Sequence, residues 1–302
     1  MAKRKKRILF GAVDIGYRIK HYSDFIRTHF PDELEPESFS KYKLPESHYK
    51  TDYTYLCEID KKSKLAVYWF TFRFFLKALF RYDVFHFLSG ETILPWKLRA
   101  FELACYKLSG KKIIMHFVGS DIRCEDYLKE KNDHLAEYVA GNYRIKTPVS
   151  SELQKKLIAQ ARKYANCLIV STPDLLQIIP EARYLPVFID TSDLPVHQPQ
   201  KQPEPIRILH APSASNTKGS QYIHEALDEL KNEFKGAIEI VVPGKTLRPG
   251  ETYSLTRYEL FSEFGKSHIV IDQLLIGWYG LKSVEALYLG CEVCCYIEPD
   301  TQ

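Results

Sequence analysis

The chain alternates short apolar runs with amphipathic helical runs throughout, and this alternation restricts its fold more than any other feature. The apolar runs predict strands at 7–13, 83–88, 111–119, 166–172, 207–213, 237–244, 268–275 and 292–297, with a shorter extended run ending near 189. Helical periodicity predicts helices near 18–30, 65–80, 95–108, 151–165, 220–234, 254–265 and 281–290. Strands that alternate with helices indicate parallel sheets joined by right-handed crossovers, so we expect an α/β fold.

Two segments between the first strands have a different character. Residues 31–64 are polar, rich in tyrosine and without clear periodicity, so we predict a loop-rich insertion there. The segment 65–80, LAVYWFTFRFFLKALF, is too short to span a bilayer and is interrupted by Arg73 and Lys77. We interpret it as a largely buried helix. Its aromatic residues and cations leave open an alternative, a helix lying in a membrane interface.

A proline-rich stretch divides the chain. DTSDLPVHQPQKQPEP, at 190–205, contains four prolines and no apolar periodicity, which is typical of a linker. We therefore predict an N-terminal Rossmann-like domain over 1–189 and a C-terminal domain over 206–302. The second domain ends just past a strand with no closing helix, so we expect it to be incomplete, either truncated or covered by another chain.

Composition excludes several classes of protein. Hydrophobic residues make up 45% of the chain, which permits a packed core, and the net charge of +4 gives no sign of nucleic-acid binding. The basic opening MAKRKKR suits a solvated tail or a contact with anionic lipid. No secretory signal is visible, so we predict a cytoplasmic, reducing location. Cys291, Cys294 and Cys295 lack a second pair of ligands, and we interpret them as core residues rather than a zinc site.

Three strand–helix junctions are candidate ligand sites, because parallel sheets bind ligands at the carboxyl ends of their strands. At the first junction, GAVDIGYR (11–18), Gly11 and Gly16 would let a ligand approach the backbone. This spacing lacks the Lys-Ser/Thr of a P-loop, and it also differs from the GxGxxG turn of nicotinamide enzymes. A tight turn without a ligand is the alternative.

The second and third junctions combine a helix N-terminus with charge. Lys218 and Gly219 precede the helix at 220–234, where free amides and an ammonium group suit a phosphate. Gly280 and Leu281 begin the helix at 281–290, and Glu285 follows one turn later. A carboxylate at that position can accept hydrogen bonds from both hydroxyls of a ribose. The alternatives are a solvated lysine and an exposed helical glutamate.

The block ILHAPS…KG followed by VIDQLLIGWYGLKSVEALYLG resembles the C-terminal half of retaining glycosyltransferases with the GT-B fold, of the family 4, group 1 type. YLPVFIDTSDLP resembles the entry to that family's interdomain linker, and MHFVGSDIR (115–123) resembles its His/Gly/Asp segment. The resemblance covers most of the chain except 31–80. It implies two Rossmann-like lobes whose parallel sheets face each other across a cleft.

The resemblance also implies roles for single residues. Lys218 would contact the diphosphate of a nucleotide-sugar donor, and Glu285 would bind the donor ribose. The glycines at 11, 16, 219 and 280, together with Leu281, would line the donor site. His116 and Asp121 would act as catalytic residues, with a hydrogen-bonded core histidine and a turn-capping aspartate as alternatives.

The implied reaction moves a sugar from a nucleotide-diphosphate donor to a glycan or lipid-linked acceptor with retention, in polysaccharide biosynthesis. We expect no cofactor and no metal, because no Asp-x-Asp motif is present. We also expect a peripheral contact with the inner face of the membrane, and no nucleic-acid partner. Gly277 stands where the family has its first motif glutamate, and 213–217 lacks the usual arginine. The alternative is therefore a catalytically impaired sugar-nucleotide-binding or scaffold protein.

Overall fold

A computed structural model describes residues 4–44, 52–124, 127, 128, 130, 151–189, 191, 194, 205–212, 218–243 and 255–299. The contacts divide the chain into two compact units. Unit 1 comprises Met1–Cys124 and Val149–Pro186, and unit 2 comprises Glu125–Pro148 and Val187–Gln302. Most of the predicted linker, and the segment 213–217 that lacks the arginine, lie outside the described residues.

Unit 1 is built on a seven-stranded parallel sheet in the order β3-β2-β1-β4-β5-β6-β7. The strands are β1 (Lys6–Gly11), β2 (Leu34–Ser40), β3 (Tyr55–Leu56), β4 (Val84–Leu88), β5 (Lys112–Phe117), β6 (Cys167–Val170) and β7 (Arg183–Tyr184). The helices are α1 (Arg18–His29), α2 (Lys64–Arg81), α3 (Arg99–Leu108) and α4 (Ser151–Tyr164). The α/β prediction is confirmed for this half of the chain, and the sheet order is that of a doubly wound fold.

The core of unit 1 is rich in aromatic residues that lie between the sheet and its helices. Phe85 on β4 stacks on Tyr106 of α3 with ring centroids 3.8 Å apart, and Phe39 on β2 stacks on Phe74 of α2 at 4.5 Å. Such ring pairs stabilise a fold beyond their simple burial. They fix α2 and α3 against the sheet and so position its carboxyl edge.

The prediction of a loop-rich insertion at 31–64 is wrong. This segment supplies β2, which pairs with β1 along Lys6–Phe10, and the short edge strand β3. β2 reads LEPESFS and carries little apolar signal. β3 pairs with β2 only at Phe39 and Ser40. Pro36 therefore has no strand on its other side among the described residues, and a proline is tolerated at such an edge. Tertiary pairing overrides weak local propensity here.

The interpretation of the helix near 65–80 as largely buried is also wrong. α2 buries only Thr71, Phe74, Phe75 and Ala78. Several of its large apolar side chains are exposed to solvent, including Leu65 at 83%, Trp69 at 65% and Phe80 at 82%. No helix among the described residues is long and apolar enough to cross a membrane.

Unit 2 contains a four-stranded parallel sheet in the order β11-β10-β8-β9. Its strands are β8 (Ile206–Leu209), β9 (Ile238–Val241), β10 (Ile269–Ile271) and β11 (Glu292–Cys294). Its described helices are α5 (Ser220–Glu233), α6 (Arg257–Lys266) and α7 (Leu281–Tyr288). Leu209, Phe264, Val270, Ala286 and Leu289 form the centre of its core.

The strand boundaries in unit 2 differ from prediction at one functionally important point. The strand predicted through 275 ends at Ile271, and the chain then follows an irregular path to Gly280 before α7 begins. The apolar residues of QLLIGW therefore do not continue β10. Leu275 is instead buried beside Leu128. As a result, Asp272 lies at the carboxyl end of a strand.

Candidate functional site

Both sheets place polar residues at the point where the strand order reverses. In unit 1 the order reverses between β1 and β4, and in unit 2 between β8 and β10. Crevices at such points are the usual ligand sites of open parallel sheets, because the loops on either side of them run to opposite faces. The residues after these four strands therefore define a candidate site in each unit.

A buried ion pair lies at the reversal in unit 2. Lys218, between β8 and α5, extends its ammonium group to Asp272, which directly follows β10. The backbone of the two segments is joined as well, because Leu274 N donates to Lys218 O at 3.1 Å. Burial alone would raise the pKa of Asp272, but Lys218 and the hydrogen bonds to the carboxylate hold it below its usual value. Lys218 is therefore held at the edge of the sheet by a charged carboxylate.

The N-terminus of α7 meets the same ion pair. Asp272 Oδ2 accepts from Gly280 N at 3.1 Å and from Ser283 Oγ at 2.6 Å. A Cβ atom at position 280 would lie 2.9 Å from Asp272 Oδ2 and 3.2 Å from Lys218 Nζ. Only glycine leaves room for both groups. Lys218, Asp272 and the first turn of α7 therefore lie together at one end of the unit 2 sheet.

A second ammonium group, which the sequence analysis missed, lies close to the first. Lys282 Nζ donates to Ala211 O just after β8. Burial, and then the charge of Lys218, lower the pKa of Lys282 to about 8, while Asp272 and Glu285 oppose the shift. An anion bound between Lys218 and Lys282 would offset their mutual repulsion, and the positive end of the α7 dipole also favours an anion there.

Glu285 lies one turn further along α7 and is 2% exposed. Its Oε1 accepts from Arg257 Nη1 of α6 at 2.6 Å, so the buried carboxylate has a partner within the protein. Burial raises the pKa of Glu285, although Arg257 and Lys282 act in the opposite direction. With Arg257, the cluster contains three cations and two carboxylates, an excess of one positive charge.

Two further residues shape the turn between β8 and α5. His210 is fully buried; its Nδ1 lies 2.9 Å from Ile271 O and its Nε2 lies 2.8 Å from Ser220 Oγ. The ring therefore ties β8 to β10 and to the first residue of α5. Gly219 has a φ of 73°, and a Cβ there would lie 3.1 Å from Leu275 Cγ. The left-handed backbone and the close packing against Leu275 together explain why residue 219 is a glycine.

Gly277 has a left-handed backbone, with a φ of 75°. Gly277 O accepts from Glu298 N at 2.9 Å, and a Cβ at 277 would lie 3.1 Å from Glu298 Cβ and 3.3 Å from Glu298 Oε2. A glutamate at 277 would be strained and would meet another carboxylate. Glu298, which follows β11, therefore places a carboxylate beside Gly277. In the family that this sequence resembles, a glutamate stands at that position.

The turn from Gly11 to Gly16 in unit 1 contains a buried carboxyl group, that of Asp14. Asp14 is buried; its Oδ1 accepts from Ile19 N at 3.1 Å, at the start of α1, and its Oδ2 accepts from Tyr53 Oη at 2.9 Å. Burial raises the pKa of Asp14 to about 6. Gly16 adopts a φ of 67°, and a Cβ at Gly11 would lie 3.2 Å from Phe39 O. Donor binding by Gly11 and Gly16 stays a prediction.

A chain of hydrogen-bonded groups, formed by one arginine, one serine and two histidines, lies at the carboxyl edge of unit 1. Arg18 Nη1 donates to Ser171 Oγ at 2.8 Å, and that hydroxyl lies 2.9 Å from His116 Nε2. His116 Nδ1 in turn lies 3.2 Å from His86 Nε2. Burial lowers the pKa of His86 to about 4 and that of His116 well below its usual value, so both rings are neutral. The catalytic role of His116 stays a prediction, and its ring is fully buried.

Asp121 stabilises the turn after β5. Its carboxylate accepts from Gly119 N at 2.8 Å and from Val118 N, and burial raises its pKa. This is the turn-capping geometry that the sequence left open, and a catalytic role stays a prediction. Arg123, two residues further on, forms a bidentate ion pair with Asp174.

Sequence reasoning missed several members of the unit 2 cluster for separate reasons. Asp272 was hidden by the strand predicted through 275, although an aspartate that ends an apolar run is a usable signal. Arg257 comes from a helix remote in sequence, and no local pattern points to it. Among the described residues, no group of histidines, cysteines and carboxylates could hold a metal ion.

Comparisons with known proteins agree on the architecture. No protein-family model and no curated protein sequence matches this chain. Among solved structures, the catalytic domain of Arabidopsis thaliana starch synthase IV, bound to ADP and acarbose, is similar over 97% of this chain and 83% of its own, with 11% identity and a TM-score of 0.55. A Listeria monocytogenes protein assigned as a UDP-N-acetylglucosamine 2-epimerase is similar over 96% and 79%, with 13% identity and a TM-score of 0.52.

These identities are low enough that the likeness concerns fold alone. The two parallel sheets, their doubly wound order and the extent of the match along the chain agree with each other. The chain therefore has the fold of the GT-B glycosyltransferases, with two Rossmann-like α/β units.

Proposed function

We propose that this chain is a glycosyltransferase that uses a nucleotide-diphosphate sugar as donor. The observation that carries the proposal is the arrangement of Lys218 and Lys282 around the N-terminus of α7, at the reversal of the unit 2 sheet. Ammonium groups and helix amides together suit a diphosphate. The similar starch synthase carries ADP, which agrees with a nucleoside diphosphate as the recognised group.

In this proposal each residue of the cluster has a distinct task. The diphosphate takes the place of the Asp272 carboxylate beside Lys218 and draws on the amides at Gly280 and Leu281. Gly219 and Gly280 allow the close approach. Glu285, held at Oε1 by Arg257, offers its second oxygen to the donor ribose.

Lys218, Lys282 and the amides at the start of α7 would stabilise the negative charge that develops on the departing diphosphate. The acceptor oxygen forms a bond to the anomeric carbon while the bond from that carbon to the diphosphate breaks, and the hydroxyl proton passes from the acceptor to an oxygen of the departing diphosphate. Fixed cations and dipoles that face the departing diphosphate lower the barrier, because they need no reorganisation. We propose that the configuration is retained and that no metal is required, with Lys218 and Lys282 in the role that a divalent cation has in other enzymes.

The acceptor is proposed to be a glycan or a lipid-linked sugar in polysaccharide biosynthesis, met at the inner face of a membrane. His116 and Asp121 belong to the acceptor side in unit 1. Because His116 is buried, we assign it a positioning role: it holds Ser171, which in turn holds Arg18. Asp121 fixes the turn that follows β5.

A second candidate is a protein of the same fold that binds the donor without transferring the sugar. The backbone of Gly277 favours this candidate, because it excludes the glutamate that would meet the sugar. Glu298 argues for the enzyme, since its carboxylate lies beside Gly277. Transfer of radiolabelled sugar to a membrane extract, with Glu298→Gln as the variant, separates the two.

Calorimetric titration of the full chain with UDP, GDP and ADP tests the donor site directly. The variant Lys218→Gln/Asp272→Asn removes both charges together, so no buried charge is left unpaired. We expect one nucleoside diphosphate to bind the native chain, and binding to be at least about tenfold weaker in the double variant. Lys266→Gln, which removes an exposed lysine of α6, is the matched control and should bind normally.

The result that would end the proposal is a native chain that binds none of the three diphosphates. Equal affinity in the native chain and the double variant would place the nucleotide elsewhere. Chelation with EDTA should leave affinity and transfer unchanged if the lysines replace a metal.

A further inference from the structure

The exposed face of α2 is a continuous apolar surface. Leu65, Trp69, Phe72, Leu76 and Phe80 recur at helical spacing, and all of them are exposed. Leu98, which is exposed and precedes α3, extends this surface. Together with the buried Leu94 and with residues of α2, it lines a groove of about 330 Å³ whose side chains are apolar. We call this surface the α2 patch. Apolar surface of this extent on one face of a protein marks an interaction site.

The charged residues of α2 all carry positive charge. Residues 64–81 contain no acidic residue, and Lys64, Arg73 and Lys77 are exposed along the helix. The guanidinium of Arg73 lies 5.8 Å from the Trp69 ring, and Lys97 Nζ lies 5.8 Å from the Trp96 ring. Neither Arg73 nor Lys97 forms an ion pair within the described part of the chain. The patch therefore presents aromatic rings and positive charge together.

We propose that the α2 patch docks on the surface of an anionic lipid bilayer. Trp69 and Trp96 have the amphipathic rings that favour the headgroup region, and leucine and phenylalanine side chains bury in the outer acyl region. Arg73, Lys77 and Lys97 attract anionic headgroups. The helix lies in the interface and does not cross it, in agreement with its length and its cations.

A second copy of this chain fits the patch less well. A two-fold interface brings the same surface of each copy together. Such an interface would bring the positive charges of both patches, Arg73 and Lys97 from each copy, into one contact area, and no carboxylate of α2 would offset the repulsion. An anionic membrane supplies both the apolar and the negative partner, so charge complementarity selects it.

This inference rests on the proposed function only in that a lipid-linked acceptor would be met at a membrane. Its evidence comes from α2 and not from the donor site. Its test therefore contains no nucleotide and no sugar. If the donor site fails its own titration, vesicle binding still decides the present proposal.

Co-sedimentation of the full chain with phosphatidylcholine vesicles, with and without phosphatidylglycerol, is the direct test. We expect binding to the anionic vesicles only, weakened by salt. Leu65→Gln/Trp69→Gln should reduce binding at least about tenfold, because it removes two exposed apolar anchors. Arg73→Gln/Lys97→Gln should reduce it about tenfold through lost attraction.

Matched controls lie in unit 2. Tyr258, which is 72% exposed on α6, gives an apolar control as Tyr258→Gln, and the exposed Lys231 and Lys235 give a charge control as Lys231→Gln/Lys235→Gln. Both controls should sediment like the native chain. Two of the three tryptophans lie on this surface, so a blue shift of fluorescence with vesicles should accompany binding.

Three results would overturn the proposal. The native chain fails to sediment with anionic vesicles, or Leu65→Gln/Trp69→Gln sediments as well as the native chain. The third result is a dimer of the lipid-free chain that Leu65→Gln/Trp69→Gln abolishes. That result would mean that the α2 patch binds a second copy of the chain.

Discussion

At Gly280 the backbone and two charged side chains lie within a very small volume. The absence of a side chain there lets Asp272 Oδ2 and Lys218 Nζ reach the first turn of α7 together. Glycine at this position is needed for space and not for backbone conformation, since its φ of −96° suits any residue. A small side chain should therefore disturb the charges more than the fold.

Gly280→Ala tests this argument. The added methyl group forces Asp272 and Lys218 apart, at a cost of about 1–3 kcal/mol in stability. We expect the affinity for a nucleoside diphosphate to fall about tenfold, measured by calorimetric titration. Gly110→Ala is the control, because its φ of 70° causes strain while no atom lies within 4 Å of the added Cβ. It should lower the melting temperature and leave affinity unchanged; equal affinities in both variants would contradict the argument.

We expect the binding of a nucleoside diphosphate to depend on the protonation of Lys282. Its ammonium group has a pKa of about 8, and only the protonated form attracts a diphosphate. Affinity should therefore fall as the pH rises through about 8, although bound anion will move the midpoint upward. Titrations across this range should show the loss in the native chain and a flat profile in Lys282→Met. A native profile that is flat as well would remove Lys282 from the site.

At the scale of single elements, strong periodic signals predicted structure well and weak ones did not. The strand–helix alternation predicted β1, β4, β5, β6 and most of unit 2, because burial on both faces leaves near-continuous apolar runs. β2 was missed because its polar sequence is held by pairing with β1. The exposed face of α2 was missed because hydrophobicity alone does not tell a buried helix from one with an external partner.

The candidate site was predictable in part for the same reasons. Lys218, Gly280 and Glu285 lie at strand–helix junctions, which sequence patterns locate. Asp272 depended on the end of β10, and strand ends are set by pairing with neighbours. Arg257 reaches Glu285 only because α6 packs beside α7, a contact that no local pattern encodes.

The cap of α6 links element stability to the site. Thr256 Oγ1 accepts from Glu259 N, and Glu259 Oε2 accepts from Thr256 N at 2.8 Å, a complete capping box directly before Arg257. Thr256→Ala should cost about 1 kcal/mol of stability. Because Arg257 is the first residue of this helix, nucleotide affinity should also fall by about threefold.

Ser63→Ala provides the comparison for that variant. Ser63 caps α2 through Ala66 N in unit 1, and it is not one of the residues to which the proposal assigns nucleotide binding. It should lower the melting temperature by a similar amount without any change in affinity. A loss of affinity in Ser63→Ala equal to that in Thr256→Ala would show a general effect of reduced stability.

At the scale of the whole molecule, buried polar groups lower stability and at the same time order the carboxyl edges of both sheets. Unit 1 keeps Asp14, His86 and His116 in its interior, and unit 2 keeps Asp272 and Glu285. Each group is hydrogen-bonded, as buried polar groups must be. The titration of these groups therefore couples the stability of the chain to pH.

Asp14 provides a measurable case. Its folded pKa of about 6 lies above its ordinary value of 3.8, so folding favours the protonated form. Its contribution to stability is present below about pH 4 and is lost as the pH rises through 6, by on the order of 3 kcal/mol. Asp14→Asn should therefore gain stability relative to the native chain between pH 4 and 7, measured by urea unfolding. A constant difference between the two proteins would contradict this account.

The crystal structure of the full chain with a nucleoside diphosphate tests the central claim most directly. We predict a phosphate within hydrogen-bond distance of Lys218 Nζ and Lys282 Nζ at the start of α7, with the Asp272 carboxylate displaced from Lys218. A nucleotide bound elsewhere while the pair of Lys218 with Asp272 stays intact would contradict the account.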